Sequence, residues 1–177
     1  MNELRKKILS LELAGAVFII LLGSLLHFTF ELSGGHPVVG VFSAVNESVW
    51  EHLKLAYWPA LAYMVIERRR LKTVGSFLTA KTIGIYLMPT IIVSSFYAYN
   101  FFIAENLLMD IVVFIAAVVI GQLASYRLMT RENLRAYGRI SLVALVPGAI
   151  VFTVFTFHPP KLAVFQDPVN GGYGISG

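Results

Sequence analysis

The chain has 177 residues, of which 57% are hydrophobic and only 14% charged, with a mean hydropathy of +0.74. Soluble domains carry roughly a quarter of their residues charged, so a soluble globular fold is excluded. The absence of cysteine removes disulfides, thiolate metal sites and a cysteine nucleophile, and the net charge of +4 is explained by where the basic residues fall, without a nucleic-acid partner.

The apolar residues come in blocks close to the roughly 20 that cross a bilayer as helix. No period-two alternation between turns speaks for a β-barrel, which leaves α-helices to satisfy the backbone in lipid. Arg5, Lys6 and Lys7 precede a run from Ile8 to about Leu26, longer than the core of a secretory signal and followed by no Ala-x-Ala-like cleavage site. It is read as a retained first span over 8–32, closed at Ser33-Gly34-Gly35 by glycine in the left-handed conformation. Residues 33–46 form a connector too apolar for a solvated loop, and a re-entrant or interfacial segment packed on the bundle is expected.

Asn46 reads as an N-cap, with Glu47 in the first turn of a second span over 47–67 and a kink at Pro59. Arg68, Arg69, Arg70, Lys72 and Lys81 mark the next loop. A third span covers 82–99 with Pro89 inside it, and a short turn near Asn100 leads to a fourth over 102–126. Arg127, Arg131, Arg135 and Arg139 follow. A fifth span over 140–157 carries Pro147 and stops at His158-Pro159-Pro160. The tail, 158–177, has turn signals at Asp167-Pro168 and Asn170-Gly171-Gly172 and is expected to form an ordered cover. The chain is therefore read as a single all-α membrane domain, a bundle of five transmembrane helices.

If the N-terminus is cytoplasmic, 12 of the 14 Lys and Arg residues fall on the inner side, and only Lys54 and Lys161 fall outside. That asymmetry sets the N-terminus in and the C-terminus out, in the cell (plasma) membrane. The inner basic residues then serve as a depth ruler, since about 20 residues of helix span the ~30 Å hydrocarbon core. His27 lies 20 residues beyond Lys7, and His158 lies 19 beyond Arg139. Counted the same way, His52, Glu51, Glu47, Asp110 and Glu105 reach one layer at the outer edge, with Glu31, His36, Asn46, Asn100 and Asn106 at or just above it. Glu3, Glu12, Glu67 and Glu132 sit at the inner face, where they are expected to pair with basic residues.

The densest polar stretch is Asn46-Glu47-Ser48-Val49-Trp50-Glu51-His52-Leu53-Lys54. His27 and Glu31 share a helix face at i, i+4, as do Glu47 and Glu51, with His52 about 100° around. Ionisable residues at this depth face a cavity or each other. The set expected to hold a divalent metal such as zinc is His27, Glu31, Glu51, His52 and His158. Glu47, Glu51 and His52 are the expected catalytic groups, with Asn46, Ser48, Asp110 and Asp167 in supporting positions. Trp50, Tyr57 and Trp58 read as interfacial aromatics. There is no His-Glu-x-x-His, nucleophile elbow, phosphate loop or dinucleotide fingerprint.

Three readings stand side by side. One is a metal-dependent hydrolase acting on a lipid or lipid-linked substrate at the extracytoplasmic edge. The second is a small transporter or ligand-binding membrane subunit that uses the same groups for cations or protons. The third is a structural or assembly protein in which they form a hydrogen-bonded network. Gly23-Ser24-Leu25-Leu26-His27-Phe28, the nine-residue stretch from Asn46, and the tail from Phe165 to Ile175 together resemble a family of small bacterial and archaeal membrane proteins of unknown function. That resemblance implies the multi-pass topology and leaves the chemistry open.

Overall fold

The computed structural model describes residues 3–104 and 106–176. Glu105, placed in the outer layer by the depth count, lies outside the described residues, as does the side chain of Glu132. Five long helices make the bundle: α1 (Glu3–Leu32), α3 (Val49–Arg68), α4 (Phe77–Asn100), α5 (Leu107–Met129) and α6 (Gly138–Phe157), with the four-residue α2 (Pro37–Gly40) in the connector. Among the described residues there is no strand, only an isolated bridge between Gln166 and Tyr173.

Four stretches are long and apolar enough to cross a membrane: α1, α4, α5 and Leu134–Phe157, which contains α6. Their outer faces are continuous apolar stripes. Leu13, Val17, Leu21 and Leu25 on α1 and Ile140, Val143, Val146 and Ile150 on α6 recur every three or four residues and are all exposed. Stripes of that extent on a bare chain mark a surface meant for lipid.

The exception, α3, is the central helix. Eleven of its twenty residues are buried, against six of thirty in α1. Because α3 is enclosed by protein, Glu51, Lys54 and Glu67 find partners there and need not face hydrocarbon. Tyr57, expected at the interface, is fully buried, and its hydroxyl donates to the Leu145 carbonyl at 2.7 Å. Trp50 likewise turns inward, onto Phe152, Phe155 and Phe165. Both corrections follow from which face of α3 they occupy: its large exposed apolar residues, Val65 and Ile66, lie toward its other end, while Trp50 and Tyr57 face the bundle.

Small residues set the close helix approaches, as expected where lipid gives no hydrophobic drive to associate. A Cβ on Gly121 of α5 would come within 2.9 Å of the Gly84 carbonyl of α4, and one on Gly23 of α1 within 2.5 Å of the Leu55 carbonyl of α3. The α1 end closes as the sequence indicates, with Gly34 and Gly35 at φ 71° and 77°.

Boundaries elsewhere shift. α4 begins at Phe77, earlier than the basic count allowed, so Lys81 sits inside a helix instead of in a loop. α5 begins only at Leu107, where the Asn106 side chain accepts from the amides of Leu108 and Met109. α3 begins at Val49, with Ser48 as its cap residue in place of Asn46.

The tail is docked. Phe165 is buried against Trp50 and Phe155, and Asn46 donates to the Gly174 carbonyl at 3.1 Å. Gly174 takes φ +64°, and a Cβ there would strike the Thr156 carbonyl, so only glycine lets the tail approach α6 this closely.

Candidate functional site

Two charged clusters lie inside the bundle. His27 and Glu12 on α1, like His52 and Glu67 on α3, are fifteen residues apart, or about 22 Å of helix. One cluster therefore lies at the connector end and the other at the basic-loop end.

At the connector end, the nine-residue stretch builds a support and a site from alternate side chains. Glu51 is buried; it pairs with Lys54 at 2.5 Å and accepts from the Val45 amide at 3.1 Å. Lys54 in turn donates to the Gly40 carbonyl at 2.7 Å and the Thr156 hydroxyl at 2.8 Å, so one ion pair ties the connector, α3 and α6 together. Ser43 adds a second tie. Its hydroxyl donates to the Leu26 carbonyl and accepts from the Phe30 amide at 2.9 Å. The connector is thus packed on the bundle, as its apolar composition requires.

On this base Asn46 accepts from the Ser48 amide at 2.9 Å, a turn that sets Glu47 at the tip of the connector. His52, one turn into α3, has Nδ1 2.9 Å from the Ser48 carbonyl. A carbonyl only accepts, so Nδ1 carries the proton and Nε2 presents its lone pair. That Nε2 lies 3.2 Å from Nε2 of His27 and 3.5 Å from Oε2 of Glu47, while the third side of the triangle, His27 Nε2 to Glu47 Oε2, is 3.6 Å.

These three edges are close to one face of a tetrahedron. Ligand atoms held 2.0–2.1 Å from a tetrahedral ion stand about 3.3–3.4 Å apart. Among the described residues, His27, Glu47 and His52 form the group of His, Asp and Glu side chains whose ligand atoms converge in this way. The imidazole of His27 beside it, and then His52, hold the Glu47 carboxyl below its ordinary range despite partial burial, so it is ionised at neutral pH.

The other sequence candidates fall elsewhere. Glu51 is committed to Lys54, because it points down the helix into protein while Glu47 stands off the helix start. Glu31 is exposed in the last turn of α1, His158 is exposed at the end of α6, and neither joins the group. His36 caps α2 by accepting from the Val38 amide. Ser48 is buried and contributes its carbonyl rather than its hydroxyl. Asp110 accepts from the Tyr99 hydroxyl and faces the same cavity as the triad. Asp167 is buried and holds the tail turn, accepting from the Val169 amide at 2.9 Å.

Two cavities meet at Glu47. One, of about 260 Å³, runs between α1, α3, α4 and α5; apart from His27, Glu47, His52, Asp110 and Ser24 its wall is apolar, with Ile20, Leu55, Ile92, Phe96, Ile111 and Phe114 prominent. The other, about 360 Å³, lies under the tail and is lined by Glu47, Val49, Phe96, Tyr97, Gln166 and Asp167 among others. Glu47, Val49 and Phe96 border both.

At the basic-loop end, Lys81 of α4 is buried with its ammonium 3.0 Å from Oε2 of Glu12, 2.9 Å from Oε2 of Glu67 and 3.0 Å from Oε1 of Gln122. Gln122 also donates to the Glu12 carbonyl at 3.2 Å. Glu12 and Glu67 thus do pair with a basic residue, but with one inside the bundle. Sequence spacing missed this centre because Lys81 was counted as a loop charge; its position one turn into a helix was the available signal.

A family model described as "Family of unknown function (DUF6512)" matches residues 2–175. The chain belongs to this family. No curated protein and no solved structure matches the chain. Membership spans both clusters, the connector and the tail, and agrees with the resemblance carried by the nine-residue stretch; the family itself assigns no chemistry.

Proposed function

We propose that this protein is a five-span membrane hydrolase, N-terminus in and C-terminus out, that holds one divalent ion, zinc being the best fit, between His27, Glu47 and His52 at the extracytoplasmic edge of the plasma membrane. The observation that carries this reading is the triangle of 3.2, 3.5 and 3.6 Å among three ligand atoms, with the His52 tautomer fixed by the Ser48 carbonyl. An imidazole whose second nitrogen donates to a backbone carbonyl is the usual arrangement of a metal-ligating histidine. Three protein ligands leave a fourth position, the pattern of catalytic rather than structural zinc.

A bound zinc ion supplies Lewis acidity and lowers the pKa of coordinated water toward neutrality. The chain's own groups do the rest. His27 and His52 orient the site, and Glu47, ionised, completes the set and offers lone pairs for the proton of the attacking water. The cavity under the tail gives water an approach to Glu47 beside the apolar cavity.

The orientation is supported by charge. With Lys81 and Lys54 both buried in ion pairs, the remaining exceptions reduce to Lys161, and eleven Lys and Arg residues flank the other side. A carrier using these groups needs a polar path to the basic-loop end. Between the two clusters the interior is instead filled by Ile19, Ala56, Ala60, Ile85, Met88 and Val118, all buried.

The test is release of acid from acyl esters or amides by the purified protein. Activity abolished by chelation, restored by zinc and absent from Glu47→Gln supports the reading. Turnover that survives both chelation and Glu47→Gln overturns it.

A further inference from the structure

The walls of the two cavities carry information about the substrate that the triad alone does not. The 260 Å³ cavity has the triad at its polar end and aliphatic and aromatic side chains along the rest, and its Ile111 and Ile115 belong to the exposed, lipid-directed surface of α5. In a chain that spans a bilayer, an apolar groove of this kind opens onto acyl chains. The second cavity is different. Its polar lining is Glu47, Asp167, Gln166 and Tyr97, with no Lys or Arg among the lining residues. A phosphate there would face two carboxylates with no cation to balance it, at a cost of several-fold in affinity for each unscreened repulsion.

Resting on the hydrolase reading above, we infer that the substrate is a single-chain acyl lipid whose head is not anionic: the chain lies in the groove between α1 and α5, the carbonyl sits at the triad, and the uncharged or amine-bearing head projects into the cavity under the tail. Water enters through that same polar cavity. Its oxygen adds to the carbonyl carbon, and the bond from carbonyl to head oxygen or nitrogen breaks with its electron pair leaving on the head atom. One proton of the water passes to that atom and the other stays on the released acid. No oxidant or reductant is required.

Two experiments on the full-length, zinc-loaded protein in detergent read the groove and the head separately. Acetohydroxamate and dodecanohydroxamate present the same metal-binding head and differ in chain. The longer probe is expected to bind at least about tenfold more tightly to the wild type. Ile111→Trp, on the lipid-directed wall of the groove, is expected to erase that advantage while leaving zinc content and acetohydroxamate binding unchanged; Ile115→Trp serves if the first variant does not fold. Ile140→Trp, on the lipid face of α6, controls for partition into the micelle and is expected to keep the advantage. An advantage of dodecanohydroxamate that is absent, or that survives both groove variants, overturns the acyl groove. Failure to bind zinc or acetohydroxamate at all instead sinks the metal reading beneath it, so the two failures are distinguishable.

For the head, 1-dodecanoylglycerol and 1-dodecanoylglycerol 3-phosphate carry the same ester and differ by the phosphate alone. Release of dodecanoic acid at least about tenfold faster from the first is the expected result. Equal or faster release from the phosphate, or release from neither, overturns the assignment of the head.

Discussion

The cluster around Lys81 and the cluster around His52 use similar residues to opposite ends. Glu12, Glu67 and Lys81 are 0–1% exposed, contributed by three helices and braced by Gln122 from a fourth. His27, Glu47 and His52 are 27%, 49% and 31% exposed in their side chains and border the apolar cavity, and Glu47 also borders the one under the tail. In the first, one ammonium is hydrogen-bonded to Glu12 and lies 2.9 Å from Glu67. In the second, two imidazole nitrogens and a carboxylate oxygen face one another with no Lys or Arg paired to them among the described residues. The contrast separates carboxylates enclosed with a Lys counter-charge from one left half-exposed beside two imidazoles at a cavity wall. Glu51 and Glu47 repeat the lesson four residues apart, one locked to Lys54 and the other left at a cavity mouth.

Breaking the closed cluster should have the largest effect. Lys81→Met leaves two buried carboxylates without a cation, and a loss of about 3–5 kcal/mol in stability is expected, read as a lower unfolding temperature in detergent. Gain or no change would mean that the cluster is not structural. Glu51→Gln comes next. It strands the Lys54 ammonium, keeps an acceptor for the Val45 amide, and is expected to cost about 2–3 kcal/mol, with the connector becoming susceptible to proteolysis.

Asn46→Ala removes the turn onto the Ser48 amide and the tether to Gly174. About 1 kcal/mol of stability is expected to go with it. Because Glu47 loses its support, a 10–100-fold weaker zinc affinity is expected by titration with a competing chelator, about what second-layer substitutions cost at metal sites. Glu47→Gln should have the smallest effect on stability, within about 0.5 kcal/mol for the metal-free protein, since a half-exposed carboxylate with no ammonium partner contributes little. A large loss of stability in that variant would erase the distinction between the two clusters.

Much of this was legible in the sequence. Apolar block length gave the helical membrane class, Gly34-Gly35 gave the end of α1, and the depth ruler put His27, Glu47 and His52 in one layer. Depth, however, says nothing about rotation or about which side chain leaves the helix. Glu47 and Glu51 look equivalent at i, i+4 only if both are helical, and the helix begins at Val49. Glu31 and His158 share the layer but stand exposed at helix ends. Lys81 was the costliest ambiguity, because a basic residue near a span end reads as a loop charge until the helix is found to start at Phe77. The inward turn of Trp50 and Tyr57 depended on α3 being central, a property of packing that hydropathy along one chain does not encode.

The most direct test of the account is the metal content of the detergent-purified protein by elemental analysis, in the wild type and in Glu47→Gln, His27→Ala, Glu31→Gln and His158→Ala. One divalent ion per chain in the wild type, lost in the first two variants and retained in the last two, is the predicted result. A folded wild type without metal, or metal that survives Glu47→Gln and His27→Ala but is lost with Glu31 or His158, would contradict it.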